Sequence, residues 1–167
     1  MSPGVVQVVT LNPIGVIHSP FREQAGTPIQ PTKAEGAHGT VELLPEYEAG
    51  LEDLAGFERI WLVYHLDRAR PWRPRVVPYR DTVERGLFAT RSPARPCPIG
   101  LSAVELVSVA GARLEVRGID VLDGTPLLDL KPYVPDCDAY PDSRAGWWAE
   151  SDSDRARADD RFVPPKS

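Results

Sequence analysis

No part of the 167-residue chain comes near the roughly 18 consecutive apolar residues that a membrane-crossing helix needs, so no span is expected. Met1 to Leu11 hold no basic cluster followed by an apolar core, so no secretory signal is expected either. Cysteine is scarce: Cys97 and Cys137 stand far apart and form no closely spaced motif, which makes a reducing cytoplasm the simplest setting. The histidines His18, His38 and His65, taken with those cysteines, fall at no ligand spacing, so no metal site is expected. The Gly-x-Gly-x-x-Gly loop that cradles a dinucleotide is also missing.

What the chain does have is enough apolar matter for one domain. With 42% hydrophobic and 26% charged residues it can bury a core. The net charge of −5 conceals an asymmetry. Between Arg68 and Arg95 eight arginines outweigh Asp81 and Glu84, a local +6 that leaves −11 on the rest. A basic segment on an acidic body suits a local anion site, and reads equally as the solvated face of a long loop.

Short apolar runs separated by Pro and Gly dominate the pattern. Val5–Val9, Ile14–His18, Val41–Leu44, Leu87–Thr90, Leu101–Val109, Arg113–Gly118 and Val121–Leu122 read as strands. Phe57–Leu66 is apolar on both faces, as in a strand at the middle of a core, and His65 within it reads as a core histidine. Pro45 opens a short helix with Leu51 and Leu54 on its buried side and Gly56 at its end. Pro20–Gly39 and Arg68–Arg85 are loops. The fold class expected is therefore mainly β: a small single-domain barrel, residues 1–135, with one or two short helices. Residues 136–167 form an irregular acidic C-terminal extension, loosely ordered or docked on a partner subunit. Its adjacent Trp147 and Trp148 are too apolar to be left in water and should pack on the body or on a second copy.

Three segments carry chemistry. Thr27-Pro28-Ile29-Gln30-Pro31 holds an amide side chain in an extended, proline-stiffened stretch. Phe88 to Ser102 sets Arg91 and Arg95 four residues apart among Pro93, Pro96 and Pro98, a fork suited to carboxylate or phosphate. Asp120 to Tyr133 joins the turn Asp123-Gly124-Thr125-Pro126 to Asp129, Lys131 and Tyr133. In this order, with Ile14-Gly15-Val16-Ile17-His18-Ser19-Pro20-Phe21 and Leu54-Ala55-Gly56-Phe57, they closely resemble the TsaA-like family over about Pro13 to Pro135. Its best-known members are the TrmO-type tRNA methyltransferases that act on N6 of threonylcarbamoyladenosine.

The resemblance implies a β-barrel that binds S-adenosylmethionine (SAM) and a homodimer with its cofactor cleft near the subunit interface. Carried over by segment, cofactor contacts would come from Pro28, Ile29, Gln30, Asp67, Arg68, Arg91, Leu101, Asp123, Gly124, Thr125 and Pro126. Arg91, Arg95 and Tyr133 would hold the substrate. A carbamoylated adenine nitrogen is a poor nucleophile, so Asp129 would take its proton or Lys131 would stabilise charge on a neighbouring oxygen. Asp129 and Lys131 read equally as a structural ion pair closing the barrel, Asp123-Gly124 alone reads as a hairpin turn, and Tyr133 as a packed aromatic.

Two positions depart from the family pattern: Cys97 replaces its usual Asn, and Asp67 its usual His. The acidic extension would also repel RNA unless folded away. Three functions follow in order: methylation of threonylcarbamoyladenosine in tRNA, SAM-dependent methylation of a small molecule, and SAM binding without turnover.

Overall fold

Alternation decides the strands. In Arg59–His65 the buried residues are Ile60, Leu62 and Tyr64, and their neighbours point the other way. The structure, a computed structural model, describes residues 7–34, 36–151 and 156–163. Its strands are β1 (Gly15–His18), β2 (His38–Leu43), β3 (Arg59–His65), β4 (Arg75–Val76), β5 (Arg85–Gly86), β6 (Ile99–Ala110), β7 (Arg113–Arg117) and β8 (Thr125–Pro132). Six of them close into an antiparallel barrel in the order β1-β2-β7-β6-β3-β8, while β4 and β5 pair apart as a two-residue ribbon. The mainly β barrel expected from the sequence is the fold observed.

The interior is filled by the inward residues of every barrel strand. Ile17, Val41, Ile60, Leu62, Val104, Leu114, Val116 and Leu127 are all fully shielded, and Ile119 joins them from the segment after β7. Leu51 and Leu54 cap one end, as expected, though from two 3₁₀ turns, Pro45–Leu51 and Leu54–Gly56, in place of a regular helix. One close approach fixes the β1–β2 seam. A Cβ on Gly15 would lie 2.3 Å from the carbonyl oxygen of Glu42.

Several local expectations are corrected. Val8 and Val9 lie in no strand and are widely exposed, while Val5 and Val6 fall outside the described residues. Leu87–Ala89 forms a 3₁₀ turn where a strand was expected, because Thr90 Oγ1 donates to the Leu87 carbonyl at 2.7 Å and draws the chain round. Leu122 ends in a turn for the same reason: Thr125 Oγ1 takes its carbonyl at 2.6 Å, and the strand starts only at Thr125. His65 is exposed, since its register puts it on the outward face of β3 with Trp61 and Val63. The loop Arg68–Arg85 contains β4. Among the described residues no helix is long and apolar enough to cross a membrane.

Gly15→Ala should test the seam. The added methyl has only main chain to push against, so a loss of about 1–3 kcal/mol or more is expected in urea unfolding, with β1 the first strand to lose amide protection.

Candidate active site

The barrel is closed, so its loops and one outward edge must build any cleft. Loop Gln24–Gln30, the ends of β3 and β6, the Leu66–Ala69 turn, the Thr90–Arg95 segment and the Asp120–Thr125 turn converge on a cleft of about 420 Å³. That lies within the roughly 300–1,000 Å³ of small-molecule sites. Of the residues expected at a cofactor site, Pro28, Ile29, Gln30, Asp67, Arg68, Arg91, Leu101 and Thr125 line it, and so does Arg95. They come from five separate stretches of chain.

Hydrogen bonds hold this lining in place. Arg91 Nη1 donates to Gln30 Oε1, tying the two proline-stiffened segments across the cleft. Arg68 Nη2 donates to the Asp123 carbonyl at 2.9 Å and to Thr125 Oγ1 at 3.2 Å, and its Nε meets Asp67 Oδ1 at 3.3 Å. Arg95 Nη1 donates to the Thr90 carbonyl at 3.0 Å and its guanidinium lies 5.6 Å from the centre of the Phe88 ring. Two lining groups, Ser92 Oγ and Arg80 Nε, are buried without a hydrogen-bond partner among the described residues. Buried donors of this kind call for a partner from outside the chain, a water or a polar ligand.

Other expected residues lie elsewhere. The Asp123 carboxylate turns away, accepting from the Ser19 amide at 3.2 Å and from His18 Nδ1 at 3.3 Å. The Ser19 amide, followed by His18, holds it below the usual carboxylate range. Gly124 occupies the left-handed region (φ 78°) and supplies the turn, and Pro126 is the second residue of β8; neither lines the cleft. Asp129 and Lys131 form a 2.8 Å ion pair on the outward face of β8, opposite Val63 and Trp61. Tyr133 packs on Trp61, ring centres 5.4 Å apart, and touches the cleft only through that neighbour.

Two cleft residues the sequence left unassigned, Tyr64 and Asp120, are joined through the buried Ser102. Tyr64, Ser102 and Asp120 form a hydrogen-bonded chain: Tyr64 Oη lies 2.9 Å from Ser102 Oγ, which donates to Asp120 Oδ1 at 2.6 Å. The Tyr64 ring lies against Gly100, its partner across the β3–β6 ladder, where a Cβ would sit 2.0 Å from the ring. Burial, reinforced by Asp120, pushes the Tyr64 phenol far above its usual range. Burial likewise pushes the Asp120 carboxyl up to about 7, against the opposing pulls of Ser102 and Arg91. In sequence Tyr64 and Ser102 look like ordinary strand residues and Asp120 like the start of a turn motif; only the fold joins them.

The extension forms the remaining wall. Ile29 N donates to the Ala156 carbonyl at 3.0 Å, Gly26 N to that of Ala158 at 2.8 Å, and Ala158 N to that of Thr27 at 2.7 Å. Residues 156–158 thus add a strand-like rung to the loop that carries Pro28 and Ile29. Phe162 is 1% exposed, edge-on to Tyr79 at 5.0 Å, with Arg70 stacked 5.2 Å from its centre. Arg161 Nη1 donates to the Pro78 carbonyl at 2.6 Å. Trp147 and Trp148 pack on the body: Trp147 Nε1 donates to the Ala89 carbonyl at 2.8 Å, and Arg80 covers Trp148 at 4.6 Å.

With this geometry in hand, residues 16–139 match the family profile of the tRNA-methyltransferase O N-terminal domain. The chain belongs to this family. It is 47% identical over 157 residues to a probable S-adenosyl-L-methionine-binding protein of Pyrococcus abyssi, covering 93% of this chain and 85% of that one. It is 38% identical over 144 residues to the tRNA (adenine(37)-N6)-methyltransferase of Escherichia coli, covering 80% of this chain and 61% of the relative. The crystal structure of TrmO from Pseudomonas aeruginosa superposes with a TM-score of 0.73 at 40% identity, over 86% of this chain and 63% of that one. Compared with those two bacterial TrmO-family proteins, the chain spans about three-fifths of their length.

For this TrmO-family cleft the extension should behave as a clasp. Phe162→Ala is expected to leave the barrel folded while the amides of Gly26, Ile29 and Ala158 lose hydrogen-exchange protection together, since all three donate across the seam that Phe162 anchors. Loss of protection at only one of them would mean that the three do not open as a unit.

Proposed function

We propose that the chain is a SAM-dependent methyltransferase that methylates N6 of an adenine in tRNA, the adenine bearing a threonylcarbamoyl group. The observation that carries the reading is the convergence of Pro28–Gln30, Asp67–Arg68, Arg91, Leu101 and Thr125 on one cleft. The donor set suits SAM. Pro28, Ile29, Leu66 and Leu122 give an apolar wall for an adenine. The Asp67 carboxylate can accept from a ribose diol or an ammonium, and Arg91 and the unpaired Arg80 Nε can meet a carboxylate. SAM supplies an electrophilic methyl on a positively charged sulfur. The chain's own part is alignment, exclusion of water and management of the proton on the acceptor nitrogen.

Arginines support an anionic acceptor. Arg68, Arg80, Arg91 and Arg95 line the cleft against Asp67 and Asp120. Arg95 on the cleft wall can meet a threonine carboxylate or a nearby phosphate, while Tyr133 bears on the cleft only through Trp61. The homodimer belongs to the same proposal. The outward face of β3 and β6 presents Val63, Ile99 and Leu101, the last 57% exposed, beside the cleft. A second copy on this face would cover them and enclose the Asp129–Lys131 pair, giving that pair its route to a catalytic role. Light scattering at twice the chain mass is the expected result; a single chain mass removes the dimer from the proposal.

A small-molecule acceptor is the second reading, favoured by Trp148, Ala158 and Phe162 of the extension, which narrow the cleft mouth. Labelled SAM with tRNA carrying or lacking the threonylcarbamoyl group separates the two. Label only in the threonylcarbamoylated tRNA, recovered on N6, is expected. No label in either, with SAM still bound in calorimetry, would transfer the assignment to a small acceptor. Arg91→Ala should weaken SAM at least about tenfold, as loss of one charge-assisted hydrogen bond implies.

A further inference from the structure

Transfer to a carbamoylated adenine nitrogen leaves one proton to be removed, and the expected Asp129 is paired with Lys131 on the outward face of β8. The cleft contains another acid better placed for the task. Asp120 lines it, and its Oδ1 is fixed by Ser102 Oγ at 2.6 Å, itself steadied by Tyr64 Oη at 2.9 Å. The support behind that chain is rigid. Ser102 is 1% exposed on β6 opposite Leu62, and the Tyr64 ring is pressed on Gly100, where no side chain fits. Ser102 bonds the carboxylate directly and Tyr64 steadies Ser102, so the carboxyl group is held still at the cleft wall.

We propose that Asp120 is the catalytic base of this methyltransferase, Oδ2 taking the proton from the acceptor nitrogen, with Ser102 and Tyr64 as its positioning residues. The inference rests on the N6-methylation reading. In the step, the acceptor N–H bond breaks, its electron pair stays on nitrogen as the nucleophile, and the proton bonds to the carboxylate, leaving a neutral acid. Release of that proton to water resets the group. The charged and titratable groups facing Asp120 are Arg91 from the segment after β5 and Tyr64 from β3, with Ser102 contributing a neutral hydrogen bond from β6. Burial dominates among them and raises the carboxyl to about 7, where a base is both ionised and basic enough to work near neutral pH.

The sign is fixed by the ionised form being the active one. Methyl transfer should rise with pH up to about 7 and level off above it. The Ser102 hydrogen bond favours the charged form, so Ser102→Ala should move this limb to higher pH. Single-turnover methylation of threonylcarbamoylated tRNA, with SAM affinity measured in parallel by calorimetry, tests the assignment. Asp120→Asn is expected to bind SAM within about twofold of wild type and to transfer methyl about 100-fold or more slowly, the scale of one general base. Carbon-13 NMR of the aspartate carboxyls in the ligand-free chain should show one group titrating near 7 that Asp120→Asn removes. If Asp120→Asn does not fold, the Ser102→Ala shift decides. Equal turnover in Asp120→Asn, an unmoved limb in Ser102→Ala, or loss of SAM binding in Asp120→Asn overturns the base assignment alone. A wild type that methylates no threonylcarbamoylated tRNA overturns the N6 reading, and the base assignment falls with it.

Discussion

Closure of the barrel rests on β8, which pairs with β1 on one side and β3 on the other. Without it β1 and β3 would be free edges, and five strands would form an open sheet with unpaired N–H and C=O groups. The same strand is entered from the turn Leu122–Thr125, whose threonine takes the Leu122 carbonyl and receives Arg68. Closing the fold and shaping one wall of the cleft are therefore a single event. A register shift between Val63 and Tyr64 in the β3–β8 ladder falls beside this point. The extra residue is Leu128 of β8, which keeps Leu127 inward opposite Tyr64 while Asp129 faces outward beside Val63.

From that frame the cleft is assembled by loops with little regular structure, so side chains must do the fastening. Arg91 reaches Gln30, Arg68 reaches the Asp123 carbonyl, and Arg95 reaches the Thr90 carbonyl. Much of the basic segment is thus spent on main-chain and amide acceptors within the protein. The arginine excess between Arg68 and Arg95 is neither a solvated loop face nor a bare anion patch. It is largely a set of braces, with Arg91 and Arg80 left close enough to the cleft to serve a ligand as well.

Most of the barrel was legible because its strands announce themselves by alternation, although Thr125–Pro132, which closes it, carried a motif and no strand reading. The cleft loops were legible because proline and arginine in rigid spacing are rarely idle. Pro28–Gln30, Asp67–Arg68 and Arg91 meet as the segment pattern implied. Three kinds of residue escaped. Leu87–Thr90 and Val121–Leu122 look like strands as short apolar runs, but the Thr90 and Thr125 hydroxyls close local turns on the Leu87 and Leu122 carbonyls. His65 sits in an apolar run, but the period-two register carries it outward. Tyr64, Ser102 and Asp120 are brought together only by pairing across 38 and 18 residues of sequence, which no local pattern encodes. Asp120 was visible as the first residue of a motif and drew no role, because its burial is a property of the folded barrel.

The seam between residues 156–158 and the Gly26–Ile29 loop gives the protein a thermodynamic handle. The loop is held in its cleft-lining shape by a segment some 130 residues distant in sequence that is itself anchored by the buried Phe162 ring and the Arg161 guanidinium. If the docked extension raises affinity for a molecule in the cleft by some factor, that molecule must raise the extension's docking equilibrium by the same factor. A full cleft and a seated segment 156–163 are two faces of one coupling free energy, and anything that competes for that segment's seat competes, at a distance, for the cleft.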